Sequence, residues 1–120
     1  MNATINLLIK MNSNKDATSA VSVITEIALK RTPESPNEIN NFLDGIVVEG
    51  STITARDNYS LMSCTFRELI PQIMTELARY NFGSICMDAC YQSYNCGYEA
   101  VFKGLILKSG KCKTSFIEIE

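Results

Sequence analysis

Between Thr65 and Ala78 the apolar side chains Phe66, Leu69, Ile70, Ile73, Met74, Leu77 and Ala78 fall at i, i+3, i+4, i+7 spacing. That spacing draws one continuous stripe along a helix, and a stripe this apolar has to be covered by another layer. Thr65 and Glu68 stand three residues apart at its start, as in a capping box. Pro71 lies inside the stripe and removes one backbone donor, so a kink or a late start is expected. Gly83 is the expected stop.

The covering layer is written in a different period. Ile5, Leu7, Ile9 and Met11 alternate with Asn6, Leu8 and Lys10, which reads as a strand with one buried face. Ser13 and Asp16 follow as a second capping box. A first helix is then expected from about Asp16 to Arg31, with Ala17, Ala20, Val21, Ile24, Ile27 and Ala28 on its apolar face. Lys30 and Arg31 fall in its last turn, where cations suit the helix dipole. The segment "TPESPNEINNFLDG" is a connection in which a short helix near Pro36 carries Ile39, Phe42 and Leu43. "IVVEGSTITAR" reads as a hairpin about Glu49-Gly50-Ser51. After Gly83, "ICMDACYQSY" is a strand, and "YEAVFKGLILK" and "CKTSFIEIE" form a second hairpin across "SGK". The order is β-α-β-β-α-β with a C-terminal hairpin added. The expected fold is therefore α+β: an antiparallel sheet with two main helices on one face, in the ferredoxin-like split βαβ arrangement. At 120 residues, one domain spanning 1–120 is expected.

The run from Ile5 to Met11 is interrupted by Asn6 and Lys10, and no basic stretch precedes it, so it reads as neither a signal peptide nor a membrane span. A soluble, cytoplasmic protein is expected. Five cysteines, an odd number, leave at least one thiol unpaired, and a reducing compartment keeps all of them free.

Three of those cysteines, Cys86, Cys90 and Cys96, lie in "SICMDACYQSYNCGYEA". Structural zinc sites draw on close ligand pairs, and here there is one wide pair and no histidine in the whole chain. A set completed by Cys112 requires its strand to lie beside these. No C-x-x-C is present. Cys86 and Cys90 are an even number of residues apart, so on a strand they share a side, and the expected role is that of small buried hydrophobes. No metal and no cofactor are expected. The absence of histidine also removes Ser-His and Cys-His catalysis. Cys112, between Lys111 and Lys113, has the one sequence context that would favour a thiolate, and a basic turn is the simpler reading. No phosphate-cradling glycine loop occurs. An enzyme is not expected, and the net charge of −2 gives no footprint for nucleic acid.

Charge is polarised along the chain. From Thr32 to Ala55 the charged residues are Glu34, Glu38, Asp44 and Glu49, with no Lys or Arg. From Ala100 to Glu120 the bases Lys103, Lys108, Lys111 and Lys113 face only Glu118 and Glu120. An acidic patch would steer a basic partner. Tyr91, Tyr94 and Tyr98 supply a second candidate contact surface, since tyrosines are enriched at interfaces.

A small acidic α+β chain of this length, with no catalytic set, no export signal and the acid-only stretch "TPESPNEINNFLDGIVVEGSTITA", resembles bacterial immunity proteins that neutralise toxin domains. The resemblance implies an inhibitor that binds a cognate toxin, often a nuclease with a basic active site, and blocks it sterically and by charge. Phage-encoded inhibitors of bacterial defence share the profile. A small enzyme or ligand-binding domain, which would show a pocket with convergent polar groups, and an oligomeric structural module remain the alternatives.

Overall fold

In a computed structural model, residues 3–30, 36–57, 63–93 and 97–119 are described. Nine elements follow in order: β1 (Ala3–Lys10), α1 (Asn14–Leu29), α2 (Pro36–Asp44), β2 (Ile46–Glu49), β3 (Thr52–Asp57), α3 (Ser63–Ala78), β4 (Ile85–Ser93), β5 (Glu99–Ile106) and β6 (Cys112–Ile119). The strands form one antiparallel sheet in the order β2-β3-β1-β4-β5-β6. Strands β2-β3-β1-β4 with α1 and α3 are the split βαβ arrangement, and the β5–β6 hairpin extends the sheet beyond β4.

The alternation of side chains decides which sheet face the helices cover. Ile5, Leu7 and Ile9 of β1 point to the helices with Ile53 and Ala55 of β3. They are joined by Ile85, Met87, Ala89 and Tyr91 of β4 and by Ala100, Phe102 and Ile106 of β5. Against them lie Ala17, Ala20, Val23, Ile24, Ile27 and Ala28 of α1, and Phe66, Leu69, Ile70, Ile73, Met74 and Leu77 of α3. Helix α2 adds Ile39 and Phe42. Gly104 of β5 lies under Met74, so close that a Cβ built there would stand 2.7 Å from the Met74 Cε and 3.0 Å from its Cγ and Sδ.

Local signals explain most boundaries. Ser13 caps α1, its Oγ accepting from the Asp16 backbone N–H at 3.1 Å. Gly50 takes φ +59 at the first position of the β2–β3 turn, a conformation costly for any residue with a Cβ. Asn12 ties two connections together. Its Nδ2 donates to the Phe82 carbonyl at 2.8 Å and to the Ser84 carbonyl at 3.1 Å, while its Oδ1 accepts from the Ser84 hydroxyl at 3.0 Å.

Three expectations are corrected and the one for Pro71 is narrowed. Helix α3 begins at Ser63, so Thr65 lies inside it, buried, and does not cap it. Nor does Pro71 delay the helix: the first turn is complete well before it, and its missing donor falls in the middle of the element. The helix ends at Ala78, ahead of Gly83, which adopts φ +83 in the connection to β4. Finally, α1 closes at Leu29 with Lys30 as its C-cap, so no base lies in its last turn, and Val23 is buried where Val21 is only half-buried.

Candidate functional site

No described helix lies on the second face of the sheet. The residues that alternate with the core set point there: Asn6, Leu8 and Lys10 from β1, Cys86, Asp88, Cys90 and Gln92 from β4, and Val101, Lys103 and Leu105 from β5. Lys113, Ser115, Ile117 and Ile119 of β6 continue it. Val47, Leu105, Ile117 and Ile119 are among the large apolar side chains left exposed, and all four lie on this face. Three shallow recesses open on it. One of about 430 Å³ lies between Cys86, Asp88, Lys103, Leu105 and Lys113. A second, of about 230 Å³, lies among Asn6, Cys90, Gln92 and Val101, and a third, of about 360 Å³, among Leu8, Thr54, Arg56 and Asp88. The Asp88 carboxylate meets Lys103 Nζ at 3.8 Å, and Gln92 Nε2 donates to Glu99 at 3.0 Å. Both pairs bridge β4 and β5 as cross-strand neighbours. The face carries Lys10, Arg56, Lys103 and Lys113 against Glu49, Asp88 and Glu99, so its charge is mixed.

The four cysteines among the described residues are not core residues. Cys86 and Cys90 do share a side, but it is the bare one, and both are exposed, as are Cys64 and Cys112. Their neighbours Ile85, Met87, Ala89 and Tyr91 form the larger apolar set and take the interior. Four residues of strand separate Cys86 from Cys90 by about 13 Å, too far for a shared metal or a disulfide. Cys112 pairs with Ile106, which is buried on the helix side, so its side chain points away from Cys86. Among the described residues no group of three His, Cys, Asp or Glu side chains is gathered to hold a metal. Cys96 lies outside them.

The tyrosine surface is also corrected. Tyr91 and Tyr98 are 3% and 5% exposed, and their rings pack 5.9 Å apart beneath α3, with Phe66 5.1 Å from Tyr91. Each occupies the core parity of its strand segment, which is why neither is offered to a partner. Tyr94 lies outside the described residues. Arg67 of α3 stands over the Tyr98 ring at 5.4 Å and donates from Nε to Glu118 Oε1 at 2.7 Å. Glu118 is held below the usual carboxylate range, first by Arg67 and then by the Tyr98 hydroxyl. Burial, more than its charged neighbours, pushes the Tyr98 phenol up. That hydroxyl faces the Arg67–Glu118 pair without closing a well-aligned hydrogen bond to either. The constellation latches β6 to α3; its sequence separation hid it from pattern reading.

The acidic candidates fare differently. Glu34 lies outside the described residues, and Glu38 is placed on α2 by its backbone alone. Asp44 ends α2, and Glu49 ends β2; both are exposed and neither is in an ion pair among the described residues. The sheet order sets this segment at the β2 edge, with Asp44 in the helix layer and Glu49 on the bare face. The neighbouring strand β3 contributes one cation, Arg56. Lys103, Lys108, Lys111 and Lys113 lie at the far end of the sheet, in the β5–β6 hairpin. The charge polarity of the sequence thus becomes a polarity across the sheet, in a molecule 40 Å along its longest axis.

No helix among the described residues is long and apolar enough to cross a membrane. Comparison with family models, curated proteins and solved structures gave no match to the chain.

Proposed function

We propose that this chain is a non-catalytic protein-binding inhibitor of the immunity type, which meets a basic partner, such as a toxin domain, with its β2–α2 edge. The observation that carries the reading is that Asp44 and Glu49, the acids of this segment whose side chains are described, are exposed at the β2 end of the sheet, one in the helix layer and one on the bare face, and free of ion pairs among the described residues. Carboxylates placed this way cost no desolvation in the free protein and raise the encounter rate with a cationic surface. The interaction is screened over about 8 Å at physiological ionic strength.

The test uses the quadruple variant Glu34→Gln, Glu38→Gln, Asp44→Asn, Glu49→Gln, and a partner captured by the wild-type chain and then purified. The variant is expected to associate more slowly and with a weaker salt dependence, at unchanged thermal stability. One equivalent of wild-type chain is expected to abolish the partner's activity. Equal association rates for the two chains at all salt concentrations would remove the acidic edge from the interface. An active partner in the saturated complex would remove the inhibitor reading.

A further inference from the structure

The strands of this sheet are not equally held. β1, β3, β4 and β5 each send a row of buried side chains under the helices. The short β2 edge still sets half-buried Ile46 and Val48 against that core. β6 does not follow the rule. Its helix-side row is Cys112, Thr114, Phe116 and Glu118, and of these only Phe116 is even half-buried. Thr114 stands opposite Gly104, which offers it no side chain. On the bare side Lys113, Ser115, Ile117 and Ile119 are all exposed.

Beyond its ladder with β5, the strand is held by the Phe116 ring, edge-to-face on Phe66 and Phe102 at 6.1 and 6.0 Å, and by Glu118, which accepts from Arg67 at 2.7 Å. The Arg67 and Glu118 side chains are themselves 46% and 39% exposed, so water competes for that contact. The rest of the domain is complete without β6. β2-β3-β1-β4 with α1 and α3 is a whole split βαβ unit, and β5 is locked to it by buried Ala100, Phe102 and Ile106 and by Met74 pressed on Gly104. An element with few buried apolar contacts and a solvent-exposed ladder opens at a fraction of the free energy of global unfolding.

We propose that β6 is a releasable strap: it leaves β5 as a unit while the remainder of the domain stays folded. Release breaks the Phe116 and Glu118 contacts together, bares the outer edge of β5 and uncovers the Phe66 and Phe102 rings.

Amide hydrogen exchange on the full chain tests this residue by residue. The β6 amides that bond to β5 are expected to be protected, but at least about ten-fold less than those joining β1 to β4. Low urea is expected to speed exchange in β1 and β4 and to leave β6 nearly unchanged, since opening the strap exposes little surface. Ile24 is fully buried on α1, which packs over β2 and β3, away from β6. Ile24→Ala weakens the strapped and unstrapped forms alike, so it should speed β1 and β4 by at least about 30-fold and leave β6 within about two-fold. Phe116→Ala should speed β6 by about ten-fold or more. Should Ile24→Ala fail to fold, the urea series on the wild type makes the same comparison. β6 amides that accelerate in step with those of β1 and β4 overturn the proposal, because the strand then opens only with the whole domain. Unprotected β6 amides in the wild type overturn it too, since the strap would never be closed, as does unchanged β6 exchange in Phe116→Ala.

Discussion

Gly104 offers a sharp test of how the helix layer meets the sheet. A Cβ at this position would lie 2.7 Å from the Met74 Cε and 3.0 Å from its Cγ and Sδ. The terminal methyl can swing aside; the Cγ, nearer the α3 backbone, yields only if the side chain changes rotamer or the helix shifts. Overpacking of this kind costs about 1–3 kcal/mol. Against it stands the lower backbone entropy of an unfolded Ala, which returns about 0.4–1 kcal/mol. Gly104→Ala is therefore expected to destabilise by about 0.5–2 kcal/mol in urea unfolding, with an unchanged m-value. Met74 is fully buried, and Met74→Ala alone should cost about 2–5 kcal/mol through lost burial and a cavity. In the double variant the new methyl occupies part of that cavity and the clash is gone. Its total cost should thus fall short of the sum of the singles by about 1 kcal/mol, well beyond the ~0.5 kcal/mol scatter of independent sites. Additive costs, or a Gly104→Ala variant as stable as the wild type, would show that α3 does not press on β5 at this point.

Leu69→Ala and Ile73→Ala, each removing a fully buried side chain, should cost about 2–5 kcal/mol in denaturant melts, and values below about 0.5 kcal/mol would contradict the packing of α3. Tyr98→Phe should cost less than about 1 kcal/mol, because the hydroxyl it removes closes no well-aligned hydrogen bond; a loss above about 2 kcal/mol would show a full bond to Glu118 or Arg67. The folded-state pKa of Glu118 is depressed, so its contribution to stability is present above the ordinary carboxylate pKa and lost as pH falls through the lower folded value. Wild-type stability should accordingly drop more steeply below about pH 4.5 than that of Glu118→Gln, and parallel acid melts would refute the latch. A thiol reagent should modify Cys64, Cys86, Cys90 and Cys112 in the native protein without denaturant, and slow labelling of Cys86 and Cys90 would mean that something covers the bare face.

Local patterns made much of the architecture legible. The stripe from Phe66 to Leu77 is buried throughout, Ser13 caps where a cap was read, and both hairpins form. The cysteine error was one of parity. Even spacing fixes that Cys86 and Cys90 share a side, and only the competition between the two alternating sets fixes which side. Ile85, Met87, Ala89 and Tyr91 outweigh Cys86, Asp88, Cys90 and Gln92, so that comparison was available in the sequence. The same test would have placed Tyr98 with Ala100 and Phe102 inside. The boundary of α3 was missed because Thr65 and Glu68 have the spacing of a cap in a segment whose helix had already begun. The acid-only segment could be read as polar along the chain; that Glu49 lies on an edge strand follows from the strand order, a long-range property with no local signature. The Arg67–Glu118 contact belongs to the same class.

Strand β1 comes first in the chain and lies in the middle of the sheet, between β3 and β4. During synthesis it therefore waits. Its pairing with β3 becomes available once the first hairpin has emerged, but Ile5 cannot meet Tyr91, nor Ile9 meet Met87, until α3 and most of β4 have also left the ribosome. Closing so long a loop is entropically costly and slow, and a partly made sheet presents an apolar strand with one open edge throughout. The clasp of Asn12 on Phe82 and Ser84 spans the same gap and can form only as that closure completes. A nascent chain arrested before β4 is thus expected to be a substrate for chaperones, and the folding rate of the released chain should follow the joining of β4 to β1.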